Sequence, residues 1–117
     1  MNELAKIHSL HIVSEKKFLP WIKQAFARPG WKNEYIIFQY KRKNYFNPIA
    51  EGESELSADE FGRDKAIAIA NRSNIVFHYF FDFPKADIIM RSDPDVQHYW
   101  NFFGAEIYQQ TDYFRKE

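Results

Sequence analysis

Few side chains in this sequence have the type and spacing to do chemistry, and the histidines are the first to weigh. His8 and His11 lie three apart in a stretch that reads as a strand, where a period of two sends them to opposite faces. No His-Glu-x-x-His pattern occurs, and there is no cysteine to supply a thiolate nucleophile, a disulfide, or a Cys-based zinc or iron–sulfur site. No metal site is predicted. His78 differs, because it stands near the exit of an apolar strand, where a neutral imidazole acts as a base, donates a hydrogen bond to a ligand, or packs into the core. Gly104-Ala105-Glu106 places a carboxylate just past a strand that ends in glycine, at the mouth of a ligand edge; a glutamate opposing a helix dipole reads equally well.

Two further groupings combine charge and rings. Lys41-Arg42-Lys43-Asn44-Tyr45-Phe46 mixes cations with aromatic side chains, suiting an anionic membrane surface, a phosphate-bearing acceptor, or simply a solvated loop. Tyr99, Trp100, Phe102 and Phe103 form an aromatic block that stacks on sugar faces when exposed and fills a core when covered. The first strand-to-helix turn reads Ser14-Glu15-Lys16-Lys17, without the glycines that let a backbone approach a diphosphate. A self-sufficient NAD or ATP enzyme and an FMN binder are therefore disfavoured, and no cofactor is expected.

Composition bounds the rest. The 117 residues are enough for one domain with one core, and 45% hydrophobic with 19% aromatic content is far more than a disordered segment carries. Sixteen Lys and Arg balance sixteen Asp and Glu, so no global field holds a polyanion and nucleic acid is not an expected partner. Met1 to Lys6 lacks the order of a secretion signal, and no apolar run approaches the roughly 20 residues that span a bilayer. The expected location is cytoplasmic.

Elements that position these residues follow from periodicity. Ser9 to Val13 is an apolar run closing at Ser14, as a buried strand should. Phe18, Trp21, Ile22, Ala25 and Phe26 then recur at helical spacing, Pro20 restricts the helix start to its vicinity, and Arg28-Pro29-Gly30 stops it. Glu34 to Tyr40 reads as a second strand, and Lys41 to Leu56 as a polar connection broken by Pro48 and Gly52. Ser57 and Glu60 fit a capping box for a helix over 58–71. Asn74 to Phe80, apolar on both faces, predicts an inner strand. Asp82 and Pro84 predict the start of a short helix over 85–90, and Gln97 to Phe103 reads as a last strand ending at Gly104. The alternation predicts an α/β fold, a three-layer domain with a mostly parallel sheet, in which ligands bind at the carboxyl ends of the strands. That edge would carry Ser14, the Lys41 to Tyr45 loop, His78 to Asp82, and Gly104 to Glu106.

Several segments resemble a known family: His11-Ile12-Val13-Ser14-Glu15-Lys16-Lys17-Phe18, Asn33-Glu34-Tyr35-Ile36-Ile37, Asn74-Ile75-Val76-Phe77-His78-Tyr79 and, most closely, Tyr99-Trp100-Asn101-Phe102-Phe103-Gly104-Ala105-Glu106-Ile107-Tyr108. Together they are similar to the amino-terminal portion of the TDP-N-acetylfucosamine:lipid II N-acetylfucosaminyltransferases and related bacterial fucosaminyltransferases, two-domain glycosyltransferases of the GT-B type. Phe103 stands where that pattern has Trp. The resemblance implies a Rossmann-like amino-terminal half, facing a lipid-linked saccharide acceptor at the inner membrane face, with the TDP-sugar held by a carboxyl-terminal domain that these residues do not include. It implies Glu106 as candidate base on the acceptor hydroxyl, with His78 beside it, and Ser14, Lys41, Arg42, Lys43, Tyr45, Gly104 and Tyr108 on the acceptor side. Such a half alone would be inactive. The competing expectation is a non-catalytic α/β interaction module whose ring-rich surface pairs with a partner chain or with a second copy as a homodimer.

Overall fold

β-Branched and aromatic residues in the first half of the chain form two long parallel strands that carry the rest. The computed structural model describes residues 7–80 and 82–101. Strand β1, Ile7–Val13, pairs in parallel with β2, Trp31–Gln39, so that His11 lies opposite Tyr35 and Ile12 opposite Ile36. Between them a single 3-10 turn, Lys16–Phe18, leads into α1, Leu19–Ala25, with Pro20 in its first turn, where no amide is required of it. Gly30 then takes φ +84°, the left-handed conformation that turns the chain into β2.

The connection expected to be a polar loop is instead a hairpin. Strands β3, Phe46–Ala50, and β4, Glu53–Ser57, pair antiparallel around a turn with Gly52 at φ +72°, and β4 lies parallel to β2. Every residue of β3 is exposed, and Pro48 together with a register shift between Pro48 and Ala50 blunts this outer edge against further pairing. Helix α2, Glu60–Asn71, follows. Its N-cap is Asp59, whose Oδ1 accepts from the Gly62 amide at 3.1 Å, rather than the expected Ser57. Ser57 ends β4, where its hydroxyl donates to Asp59 and accepts from the Tyr45 amide. Gly62 is obligatory there, since a Cβ would sit 1.6 Å from the Ser57 carbonyl oxygen.

Strand β5, Ile75–Tyr79, helix α3, Phe83–Arg91, and strand β6, Gln97–Asn101, complete the described elements. Asp82 caps α3 and Pro84 stands in its first turn, as the sequence predicts. The strand order is β3-β4-β2-β1-β5-β6, parallel throughout except for β3. This is an α/β domain with a mostly parallel sheet and three helices, compatible with a Rossmann-like fold.

Helices cover both faces. On one, Leu19 and Ile22 of α1 pack on Val13, Tyr35, Ile37 and Tyr79; Trp21, expected on this face, is instead 73% exposed. On the other, Ala66 and Ala70 of α2 and Ile88 of α3 pack on Leu10, Ile12, Ile36, Phe38 and Val76. Each fully buried aliphatic side chain of this kind contributes roughly 1.5–3 kcal/mol. Asp87 of α3, held by both Arg63 and Arg91, ties α2 to α3 at the surface. Chain direction therefore changes at β1: β1 feeds a helix on one face, while β5 beside it feeds a helix on the other. That divergence makes the carboxyl ends of β1 and β5 a topological switch point, the position at which sheets of this kind have their ligand-binding crevice.

Candidate functional site

Four polar side chains converge at that crevice. Ser14 follows the last residue of β1, Tyr40 the last residue of β2, and Asp82 and Lys85 open α3 after β5. Lys85 is 0% exposed, and its Nζ donates to Ser14 Oγ at 2.6 Å, to Asp82 Oδ2 at 3.1 Å and to Tyr40 Oη at 3.2 Å. Tyr40 donates in turn to Asp82 Oδ2. With that proton committed, the 2.8 Å contact between Ser14 and Tyr40 has Ser14 donating. A closed ring results: Lys85 to Ser14, Ser14 to Tyr40, Tyr40 to Asp82, and Asp82 paired with Lys85. The ammonium is compensated by one carboxylate and two hydroxyl oxygens, as a buried charge must be.

The ring of bonds also fixes protonation. Burial, then the hydrogen bond to Asp82, push the Tyr40 phenol well above its ordinary value, so it stays a donor. Asp82 meanwhile spends Oδ1 on the Lys85 amide at the start of α3. The outer side of the ring meets solvent through Tyr40, 47% exposed, and through Ser14 and Asp82, both half-buried. Aromatic side chains border this opening in sequence: Phe80 ends the β5 segment and Phe83 begins α3, both exposed, with the Arg63 guanidinium 5.3 Å from the Phe83 ring. The arrangement can orient a polyhydroxylated ligand between hydroxyl, carboxylate and ring faces. Both carboxylate oxygens of Asp82 are already engaged, Oδ1 by the Lys85 amide and Oδ2 by Tyr40 and the Lys85 ammonium, so it suits orienting a ligand better than attacking one.

Of the residues placed at the ligand edge from sequence, Ser14 and Asp82 are brought into this ring. Lys41, Arg42 and Lys43 lie at the same edge beyond β2, exposed, with the Arg42 guanidinium 4.3 Å from the Tyr45 ring centre. Tyr45 is half-buried and its hydroxyl donates to Glu55, which turns it toward β4 and away from the Lys85 ring. Gly104, Glu106 and Tyr108 lie outside the described residues.

His78 is fully buried on the α2/α3 face, not at the edge. Its Nε2 lies 2.9 Å from His98 Nδ1, and its Nδ1 and the His98 Nε2 are buried without a hydrogen-bond partner among the described residues. Burial first, then His98 and Lys85, lower its pKa to about 3, so it is neutral at pH 7. His11 is buried on the α1 face. Asn33 gives its amide to the Phe26 carbonyl and so turns its oxygen to His11, making Nε2 the donor at 3.1 Å and leaving Nδ1 to accept from Tyr79 at 2.8 Å. Tyr99 stacks on Phe77 with centroids 5.8 Å apart, at the end of a row of rings running Tyr35, His11, Phe77, Tyr99 across four strands.

A second concavity lies toward the other end of the strands, with Leu10, Ile36 and Ile69 at its floor and the Arg72–Glu34 pair, 3.5 Å apart, beside it. It offers apolar volume, whereas the Lys85 ring offers converging hydroxyls and a carboxylate. Among the described residues no group of three or more His, Asp or Glu stands close enough to hold a metal ion, and no helix is long and apolar enough to cross a membrane. Comparison with protein-family models, with curated proteins and with solved structures finds no match.

Proposed function

We propose that this domain is the acceptor-binding half of a two-domain GT-B-type glycosyltransferase that moves a deoxyamino sugar from a TDP donor to a lipid-linked saccharide. The observation that carries this reading is the Lys85–Ser14–Tyr40–Asp82 ring at the carboxyl crevice between β1 and β5. Its solvent side presents a carboxylate and a phenol next to exposed rings, the mixture that saccharides demand: hydrogen bonds to hydroxyls and flat apolar faces for the sugar ring. The turn after β1 holds Glu15 and Lys17, which pair with each other at 3.1 Å, and has no glycine for close approach to a diphosphate. That supports a reading in which the donor nucleotide is held by another domain. In the transfer itself the acceptor hydroxyl attacks the anomeric carbon, its proton passes to a carboxylate, and TDP departs. Asp82 orients the acceptor, Glu106 remains the candidate base, and the exposed Lys41, Arg42 and Lys43 suit an anionic membrane face. The alternative, an interaction module, would pair through its ring-rich surface, and Trp21, Phe46, Phe83, Tyr99 and Trp100 are exposed; the β3 edge itself is blunted by Pro48.

The test is an NMR titration of the chain with a farnesyl-diphosphate-linked N-acetylglucosaminyl disaccharide, and separately with TDP. The acceptor analogue is expected to shift the amides of Ser14, Tyr40, Asp82 and Lys85, and Ser14→Ala to weaken it several-fold, while TDP leaves the spectrum unchanged. Shifts caused by TDP, or none at those amides with the acceptor, would overturn the assignment.

A further inference from the structure

Four described residues have positive φ, and the chain solves three of them with the residues that tolerate it: Gly30 at +84°, Gly52 at +72° and Asn44 at +49°. The fourth is Phe80, at +68°. A bulky side chain there strains the backbone, because its Cβ crowds the carbonyl, and glycine would remove that strain. Such strain persists when something else gains from the side chain. Phe80 belongs to neither core cluster: it is 39% exposed and stacks on no other ring among the described residues. Its position is informative: it follows the last residue of β5, two residues before Asp82, at the carboxyl edge of the sheet that also carries the Lys85 ring.

We infer that Phe80 is held in the left-handed conformation to present its ring as the platform on which the acceptor's pyranose ring stacks, so that stability is given up for binding at this position. The inference rests on the acceptor-binding reading above and adds the residue that selects for a sugar face. An apolar ring face carries several C–H groups that sit well against an aromatic ring, and the adjoining Asp82 and Tyr40 take the equatorial hydroxyls. Glycine at this position would keep the backbone path and lose the platform; alanine would lose the platform and keep the strain.

The experiment compares wild type, Phe80→Gly, Phe80→Ala and Phe80→Trp by thermal melting and by titration with the N-acetylglucosamine disaccharide, with and without its farnesyl diphosphate. Phe80→Gly is expected to raise the melting temperature by about 3–6 °C and to weaken both probes about tenfold, which is about 1.4 kcal/mol. Phe80→Ala should bind as poorly without the gain in melting temperature, and Phe80→Trp should retain binding. If wild type binds and Phe80→Gly binds equally well, the platform is wrong while the acceptor reading stands. If Phe80→Gly lowers the melting temperature, the ring packs structurally and the inference is overturned. Weakening confined to the farnesylated probe would place the isoprenoid, not the sugar, on Phe80 and overturn the ligand assigned. If wild type binds neither probe, the acceptor reading fails and the platform with it.

Discussion

His11 and Lys85 are both fully buried polar side chains whose partners come from several strands, yet they lie in different surroundings. His11 is sandwiched between Tyr35 and Phe77, with centroids at 5.1 and 5.0 Å, and both ring nitrogens are committed. Lys85 is sealed on the inside, but three of its partners, Ser14, Tyr40 and Asp82, reach solvent. A cluster closed on all sides can only hold the fold together, whereas one with a wet outer side can exchange a solvent contact for a ligand at little cost. Sealing, rather than polarity, separates scaffold from candidate site in this domain.

The largest effect should come from attacking the sealed cluster. His11→Ala removes a ring from the middle of the aromatic row and leaves Tyr79 and Asn33 with unmet hydrogen bonds in the core, and is expected to cost about 3–5 kcal/mol in urea unfolding. Lys85→Met keeps volume and lets Tyr40 and Asp82 turn to water, so about 1–3 kcal/mol is expected. Equal costs would break the distinction drawn between them.

Acid should act next, and also from inside. His11 has its pKa lowered to about 4 and His78 to about 3, in both cases mainly by burial, against 6.5 when exposed. The unfolded chain therefore binds more protons than the folded one below about pH 6.5. Stability is complete above that value and falls as pH drops toward 4, by about 1.4 kcal/mol per pH unit for each such group. Urea midpoints measured between pH 7 and pH 4.5 should show this slope, and His78→Gln should lessen it. Asp59 and Asp87, whose pKa values are lowered by hydrogen bonds, add their loss only below about pH 3.8. A flat profile down to pH 4.5 would mean that water reaches these histidines.

The buried strands and the capping of α3 were legible because apolar runs and Asp82-Phe83-Pro84 are local signals. The β3–β4 hairpin was not, since β3 is wholly exposed with Pro48 inside it, and Glu53-Ser54-Glu55 reads as loop until β2 supplies a partner. Of the site, Ser14 and Asp82 could be placed at the ligand edge from their positions after strands, but Tyr40 and Lys85 join them only through the sheet order. One signal was present for Lys85. A lysine in the first turn of a helix opposes the macrodipole, which favours anions there, so its presence required a partner such as the Asp82 three residues earlier.

The smallest effect asks whether the bonded ring is closed. Tyr40→Phe removes the link between Ser14 and Asp82 but leaves the ammonium its carboxylate and the serine oxygen, so stability should fall by only about 0.5–1.5 kcal/mol. Binding of the acceptor analogue should fall further than stability does, because Asp82 Oδ2 loses one of its two donors and Ser14 is free to turn. A double-mutant cycle of Tyr40→Phe with Ser14→Ala separates the cases: coupling between the two in affinity means that the hydroxyls act as one unit, while additive losses mean that Tyr40 meets the ligand alone. Coupling in stability without coupling in affinity would return the whole ring to the scaffold, alongside His11.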